Sequence, residues 1–218
     1  MKVRLLALLL LCLCLPAFSQ TGQPSSSQSA TNTTNLPSDP SPLAKKQWEI
    51  GPWFGGGFGL GKSDGFTIIN SGVRIGRVLT HVIGDGKFRG TFEWAADIIP
   101  LYEVAQPEFY TYGPQHWIYA FSATPVVAKW NWVANEKVTP YFALEGGLLF
   151  STKPIPKPDT SNVNFTPGGA LGLFLKQTPK HAIDLSLHIT HISNASLGNN
   201  NPGINATMQF RIGYTWFK

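Results

Sequence analysis

Two residues in this 218-residue chain have the types and spacing to break an ester bond. They are His191 and Ser193, in the run His188-Ile189-Thr190-His191-Ile192-Ser193-Asn194-Ala195. A serine hydroxyl is a weak nucleophile until a base takes its proton, and a neutral imidazole suits that role near neutral pH. On a strand, residues i and i+2 share a face with Cα atoms about 6.5–7 Å apart, which lets a histidine nitrogen approach the hydroxyl. Upstream, Ile183, Leu185, Leu187 and Ile189 alternate with Asp184, Ser186, His188 and Thr190. That period of two marks a strand and puts His191 and Ser193 on its apolar face. His188 has the opposite parity and is expected inside, as a hydrogen-bonding residue. His81 and His116 fall in or near connections, and the five histidines show no metal-ligand spacing. A His-x-Ser pair is common, so its meaning depends on the elements that hold it.

Those elements are strands throughout. Eight segments have strand character, roughly 47–61, 67–80, 88–102, 115–132, 139–152, 163–177, 181–193 and 203–217. Short connections (Ile83-Gly84-Asp85-Gly86, Ala134-Asn135-Glu136-Lys137, Thr178-Pro179-Lys180) alternate with longer ones at 62–66, 103–114, 153–162 and 194–202. This is the rhythm of a membrane barrel with tight periplasmic turns and long external loops. In 203–217, Ile204, Met208, Phe210, Ile212, Tyr214 and Trp216 oppose Asn205, Thr207, Gln209, Arg211 and Thr215. In 139–152, Phe142, Leu144, Leu148 and Phe150 oppose Tyr141, Glu145 and Gly147; in 88–94, Phe88, Phe92 and Trp94 oppose Arg89, Thr91 and Glu93. A soluble sandwich also alternates, with its charges outward. Here Glu93, Glu145, Asp184, Arg74, Arg89 and Arg211 are expected to neutralise one another in a narrow lumen while the apolar face meets lipid. Aromatics near strand ends (Trp53, Trp117, Trp130, Trp132, Trp216) read as interfacial girdles. Phe217 resembles the aromatic C-terminal signature of bacterial outer-membrane proteins, although Lys218 follows it. The fold class is therefore all-β, an eight-stranded antiparallel outer-membrane β-barrel whose interior is packed with side chains. An even strand count returns both termini to the periplasmic side.

Residues 1–19 read as a secretory signal peptide: Lys2 and Arg4, an apolar run from Leu5 to Leu15, then Ala17-Phe18-Ser19 at the cleavage site. The apolar run is too short to span a bilayer core of about 30 Å. Both cysteines, Cys12 and Cys14, lie within it, so the mature chain is expected to have no disulfide. Residues 20–46 are rich in Ser, Thr, Asn and Pro and read as a flexible linker, leaving 47–218 as the barrel domain. The formal charge of +5 falls to 5 − 2 = +3 without Lys2 and Arg4. Its scatter, in an exported chain, argues against nucleic acid as a partner.

One motif points elsewhere. Gly56-Gly57-Phe58-Gly59-Leu60-Gly61-Lys62-Ser63 matches the phosphate-loop pattern GxxxxGK[ST]. That chemistry needs a buried strand before the loop and a helix after it, so that main-chain amides converge on phosphate. Asp64-Gly65-Phe66 and a strand follow instead, so the glycines are read as relieving crowding in a curved barrel strand.

With a periplasmic N-terminus, odd-numbered strands run outward. The end of the seventh strand then lies at the external rim. His191 and Ser193 would face the outer leaflet there, near headgroup height, where lipopolysaccharide carries the ester bonds joining sugar to acyl chains. His191-Ile192-Ser193-Asn194-Ala195 followed by Asn201-Pro202-Gly203-Ile204-Asn205 resembles the signature of the lipid A 3-O-deacylases of the PagL type. The resemblance covers about 15 residues and is otherwise architectural. It implies hydrolysis of the 3-position ester of lipid A by a Ser-His-acid triad, with Ser193 as nucleophile and His191 as base. Lipopolysaccharide is the substrate and partner, and no cofactor is needed. The third member departs from the family pattern: Asn205 stands where a glutamate is expected, and no Asp or Glu follows Asp184. An asparagine can orient the histidine but cannot stabilise an imidazolium by charge. Strict alternation puts Asn205 in the lumen, so it must sit in a loop or be re-aimed by a bulge. Asn194 and Asn201 are candidate oxyanion donors. Two other readings are a non-catalytic structural or adhesive barrel, favoured by Asn205, and an acyltransferase or phospholipase on the same scaffold.

Overall fold

The structure is a computed structural model that describes residues 43, 46–107, 116–133, 137–198 and 200–218. Its strands are β1 (Trp48–Gly59), β2 (Thr67–Val78), β3 (Gly90–Gln106), β4 (His116–Trp132), β5 (Val138–Ile155), β6 (Ser161–Phe165), β7 (Gly168–Thr178), β8 (His181–Ile192) and β9 (Ile204–Phe217). Each pairs antiparallel with its neighbours in the order β4-β3-β2-β1-β9-β8-β7-β5-β6, and a β4–β5 ladder closes the ring. β6 and β7 share one edge of β5, β7 along Val138–Glu145 and β6 along Leu148–Ile155. They form one stave interrupted at Thr166-Pro167, where proline has no N–H to give the ladder. The result is a closed barrel of eight staves.

The strand signals in the sequence locate these staves to within a few residues, with one connection mistaken. Gly86–Phe88 forms a 3-10 turn, so β3 begins at Gly90 and the β2–β3 connection runs from 79 to 89. Phe88 and Arg89 are consequently exposed on that connection and do not alternate within a strand. Prolines fall where the ladders slip: the β3–β4 register shifts between Ile99 and Tyr102, across Pro100, and the β4–β5 register shifts between Ala123 and Val126, across Pro125. A bulge is where a strand tolerates a residue that cannot donate.

The lumen is filled. At the end holding the termini, Val78, Ala95, Val127, Tyr141, Phe174 and Phe217 pack together, with Phe174 and Phe217 edge-on at 5.6 Å. Leu43 joins this cluster with no exposed surface. The rest of the expected linker, Lys46 aside, lies outside the described residues, as does the expected signal peptide. At the opposite end Phe66, Ile68, Ile99, Ile118, Ile192 and Ile204 form a second apolar cluster. Between the two runs a charged network. Arg74 holds Asp97 through two bonds of 2.8 Å and Glu145 at 3.1 Å, and Arg211 reaches Asp97 at 3.4 Å. Lys129, with no exposed surface, bridges Glu49 at 2.8 Å and Glu93 at 3.2 Å. Burial of charge is tolerable only when every charge is paired and hydrogen-bonded.

Two expected placements are corrected. Arg89 is outside the lumen, exposed and donating to the Val133 carbonyl at 2.9 Å. Trp53 is inside it, 8% exposed with the Arg211 guanidinium 4.1 Å from its ring, so it belongs to the core and not to a girdle. Outward residues such as Phe54, Ile98, Leu144, Leu171, Ile189 and Ile212 are half or more exposed and give the barrel an apolar exterior. A surface of this kind is stable when lipid covers it.

Candidate active site

The end of β8 is built by its neighbours. The His191 N–H donates to the Pro167 carbonyl at 2.9 Å. Two residues further, Ser193 and Phe165 exchange main-chain bonds of 2.6 and 3.1 Å. The interrupted β6–β7 stave thus pins the backbone of both residues from one side. Ile192 between them is buried in the outer-end cluster, so His191 and Ser193 point to the exterior, on the face the alternation requires.

On the other side β9 bulges. The β8–β9 register passes from Thr190↔Thr207 to Ile192↔Ile204, so three steps along β9 answer two along β8. The extra residue falls at Asn205–Ala206. Both Ile204 and Thr207 point inward with no exposed surface, while Asn205 is exposed. Strict alternation had put Ile204 outside and Asn205 inside. The bulge reverses both, the second of the two resolutions considered for Asn205.

The bulge decides how His191 is held. Its Nδ1 lies 3.0 Å from the main-chain carbonyl oxygen of Asn205. A carbonyl can only accept, so Nδ1 carries a proton, and in the neutral ring the free lone pair is then on Nε2. The orienting group is main chain, not side chain. Gly203, at φ +61, completes the surround. A Cβ built there would stand 3.4 Å from Ser193 Cβ and 3.5 Å from His191 Cε1, so the two side chains flank the same point. Among the described residues no hydrogen bond joins Ser193 Oγ to His191.

The asparagines of the connecting segment divide their work. Asn194 is buried: its side-chain amide donates to the Asn200 carbonyl at 2.8 Å, and its Oδ1 accepts from the Ser196 N–H at 3.0 Å. It organises the loop, where Ala195 and Ser196 both adopt positive φ (49° and 64°). Backbone strain of this kind clusters at functional sites. Asn201 Oδ1 accepts from the Asn194 N–H at 3.2 Å, which brings the other end of the same amide, Nδ2, close to the Ser193–Asn194 peptide. No group of three or more His, Cys, Asp or Glu able to hold a metal occurs among the described residues.

A second constellation was not anticipated. His188 stands between Ser186 Oγ at 2.9 Å and Glu145 Oε2 at 3.0 Å, the connectivity of a Ser-His-acid triad. It lies in the lumen beside Arg74 and Arg211, and His188 has no exposed surface. An acyl glycolipid cannot enter a filled eight-stave barrel, so this triad serves the charged network. Parity had placed His188 inside. Its partner Glu145 lies on another strand and could be found only from the fold.

The lipid A 3-O-deacylase family, PagL, matches residues 78–215, which include the whole of β8, the connecting segment and nearly all of β9. The chain belongs to this family. It is accordingly a protein of the bacterial outer membrane. No curated protein matches it by sequence. Among solved structures, the outer membrane enzyme PagL is similar at 14% identity and a TM-score of 0.47, over 77% of this chain and 97% of that one. OprG from Pseudomonas aeruginosa is similar at 10% identity and 0.48, over 81% and 97%. The attachment invasion locus protein Ail of Yersinia pestis is similar at 12% and 0.44, over 79% and 97%. At these values the likenesses add nothing to the barrel already traced.

Proposed function

We propose that this member of the lipid A 3-O-deacylase family hydrolyses the 3-position acyl ester of lipid A, with Ser193 as nucleophile and His191 as base. The observation that carries the reading is the placement of the pair. Both side chains lie on the lipid-facing side at the loop-bearing end of the barrel, beside Gly203, with the His191 tautomer already chosen by the Asn205 carbonyl. In the reaction the Ser193 hydroxyl proton passes to His191 Nε2 as Oγ bonds to the ester carbonyl carbon. The ester C–O bond breaks, and the departing sugar oxygen takes the proton from His191. Water, activated by the same Nε2, then releases the fatty acid and restores Ser193. Acyl chains of the substrate lie along the apolar wall at Leu187 and Ile189. Asn201 Nδ2 is the side-chain donor best placed for the oxyanion, and Asn194 supports it by holding the loop.

The test is mass spectrometry of lipid A from a Gram-negative host expressing the wild-type chain or Ser193→Ala, each checked for a folded barrel in the outer membrane. Loss of one hydroxyacyl mass with wild type only supports the reading. Unchanged lipid A with a folded wild-type barrel would instead support a non-catalytic barrel, and a gain of acyl mass would support an acyltransferase.

A further inference from the structure

We infer that Ser63 is a positioning residue for the His191 base, acting through the Asn205 peptide; the inference rests on the reading of His191 above. The Asn205–Ala206 bulge has no full ladder partner on β8, so its main-chain groups need others. The turn between β1 and β2 supplies them. Ser63 Oγ accepts the Asn205 N–H at 2.8 Å, and the Leu60 N–H donates to the Ala206 carbonyl at 2.8 Å. Ser63 is 2% exposed, so its hydroxyl is screened from solvent. The peptide before Asn205 is held at the Asn205 N–H and the peptide after Ala206 at the Ala206 carbonyl, so the Asn205–Ala206 peptide between them is restrained on both sides and its carbonyl stays aimed at His191 Nδ1.

The turn is shaped to deliver that hydroxyl. Gly61 takes φ +59, and Ser63 N–H closes on the Leu60 carbonyl at 3.0 Å. The Ser63 carbonyl packs onto Gly59, where a Cβ would collide with it. Gly59, Gly61 and Ser63 are the end of the phosphate-loop look-alike. In this fold the glycines bring a serine to a strand bulge, not amides to a phosphate. The family match begins at Val78, so Ser63 lies outside it.

The test uses the full barrel in detergent micelles with ¹⁵N-labelled histidine, His191 being assigned by difference with His191→Gln. In wild type the His191 ring should show a protonated Nδ1 and an unprotonated Nε2. Ser63→Ala should give a mixture of the two tautomers and lower kcat about 10-fold, a share of the 10²–10⁴ that a positioned base supplies, with KM little changed. Ser63→Cys keeps the volume with a weaker acceptor and should move both readouts the same way, which covers a failure of Ser63→Ala to fold. Ser63→Thr, which keeps the hydroxyl, should restore both. A folded Ser63→Ala or Ser63→Cys barrel with the wild-type tautomer and kcat overturns the inference and leaves Ser63 a structural partner only. If wild type releases no fatty acid but the tautomer still follows Ser63, the positioning stands and the deacylase reading is the one that fails.

Discussion

Gly203→Ala isolates the close approach around the pair. The substitution adds one methyl at a backbone of φ +61, where the added Cβ meets the Ile192 carbonyl oxygen at 3.0 Å, Ser193 Cβ at 3.4 Å and His191 Cε1 at 3.5 Å. The left-handed backbone should cost about 1–2 kcal/mol of stability. The contact with Ile192 is tighter than a carbon and an oxygen tolerate, so that peptide must retreat by a few tenths of an ångström. It is the peptide joining Ile192 to Ser193, one residue after His191. A displacement of about 1 Å can cost 10²-fold in rate, so this smaller one should lower kcat about 3–10-fold. Gly86→Ala is the control. Gly86 has φ +55 with nothing within 4 Å of an added Cβ and sits on the 79–89 connection at the other end of the barrel, so it carries the backbone cost without the contact. The assay is fatty-acid release from lipid A in mixed micelles at saturating substrate, beside urea unfolding of each barrel. A stability loss in both variants, at least as large in Gly203→Ala, with kcat reduced only for Gly203→Ala is expected. Full kcat in Gly203→Ala despite the stability loss would refute the idea that this approach sets the geometry of Ser193 and His191.

The other expectations concern the two histidine constellations and the lumen. Ser186→Ala should cost about 1–3 kcal/mol, because it leaves His188 Nε2 unpaired in a buried site, yet release fatty acid at the wild-type rate; a loss of activity in a stable barrel would move the chemistry into the lumen. Arg74→Met should destabilise the barrel by about 3–5 kcal/mol in urea unfolding, since Asp97 and Glu145 lose their shared partner; a change below 1 kcal/mol would show that the network is not held by this pairing. Asn205→Glu keeps the main-chain carbonyl on His191 and adds a carboxylate on the exposed side of the bulge, where it can stabilise the imidazolium, so kcat should rise about 3–10-fold; no change would show that charge adds nothing to an orientation already fixed.

The barrel was legible because its signals are local and repeated. A period of two is read within a strand, and Ile183 to Thr190 or Phe92 to Glu93 declare their faces without any neighbour. What the alternation could not supply was the place where it fails. Ile204 and Thr207 are three apart and both point inward, and nothing in Ile204-Asn205-Ala206-Thr207 distinguishes a bulged strand from a straight one. The same limit hid Asp97, Lys129 and Glu49 from the lumen network, because pairing across the barrel is set by register between distant strands. Trp53 misled for a related reason: an aromatic near a strand end reads as a girdle residue, but its parity matches that of Glu49, which is inside. Ser63 carried a signal, the glycine spacing before it, that resembles a phosphate loop. Only the fold shows that its hydroxyl meets a backbone 142 residues away.

The missing acid of the family pattern can be understood through the bulge. A triad acid does two separable jobs: it fixes the tautomer and orientation of the histidine, and it stabilises the imidazolium by charge. A straight β9 would turn the side chain at 205 inward, away from His191, where an acid could do neither. The bulge turns the strand so that the Asn205 carbonyl meets Nδ1, which transfers the first job to the backbone and frees the side chain at 205 from it. The second job is left to the partial charge of a peptide carbonyl, weaker than a carboxylate but of the right sign. At the lipid-facing rim the dielectric is lower than in water, so that dipole counts for more than it would on a soluble surface. The substitution at 205 is therefore consistent with a working base, and the burden of positioning it passes to the residues that hold the bulge.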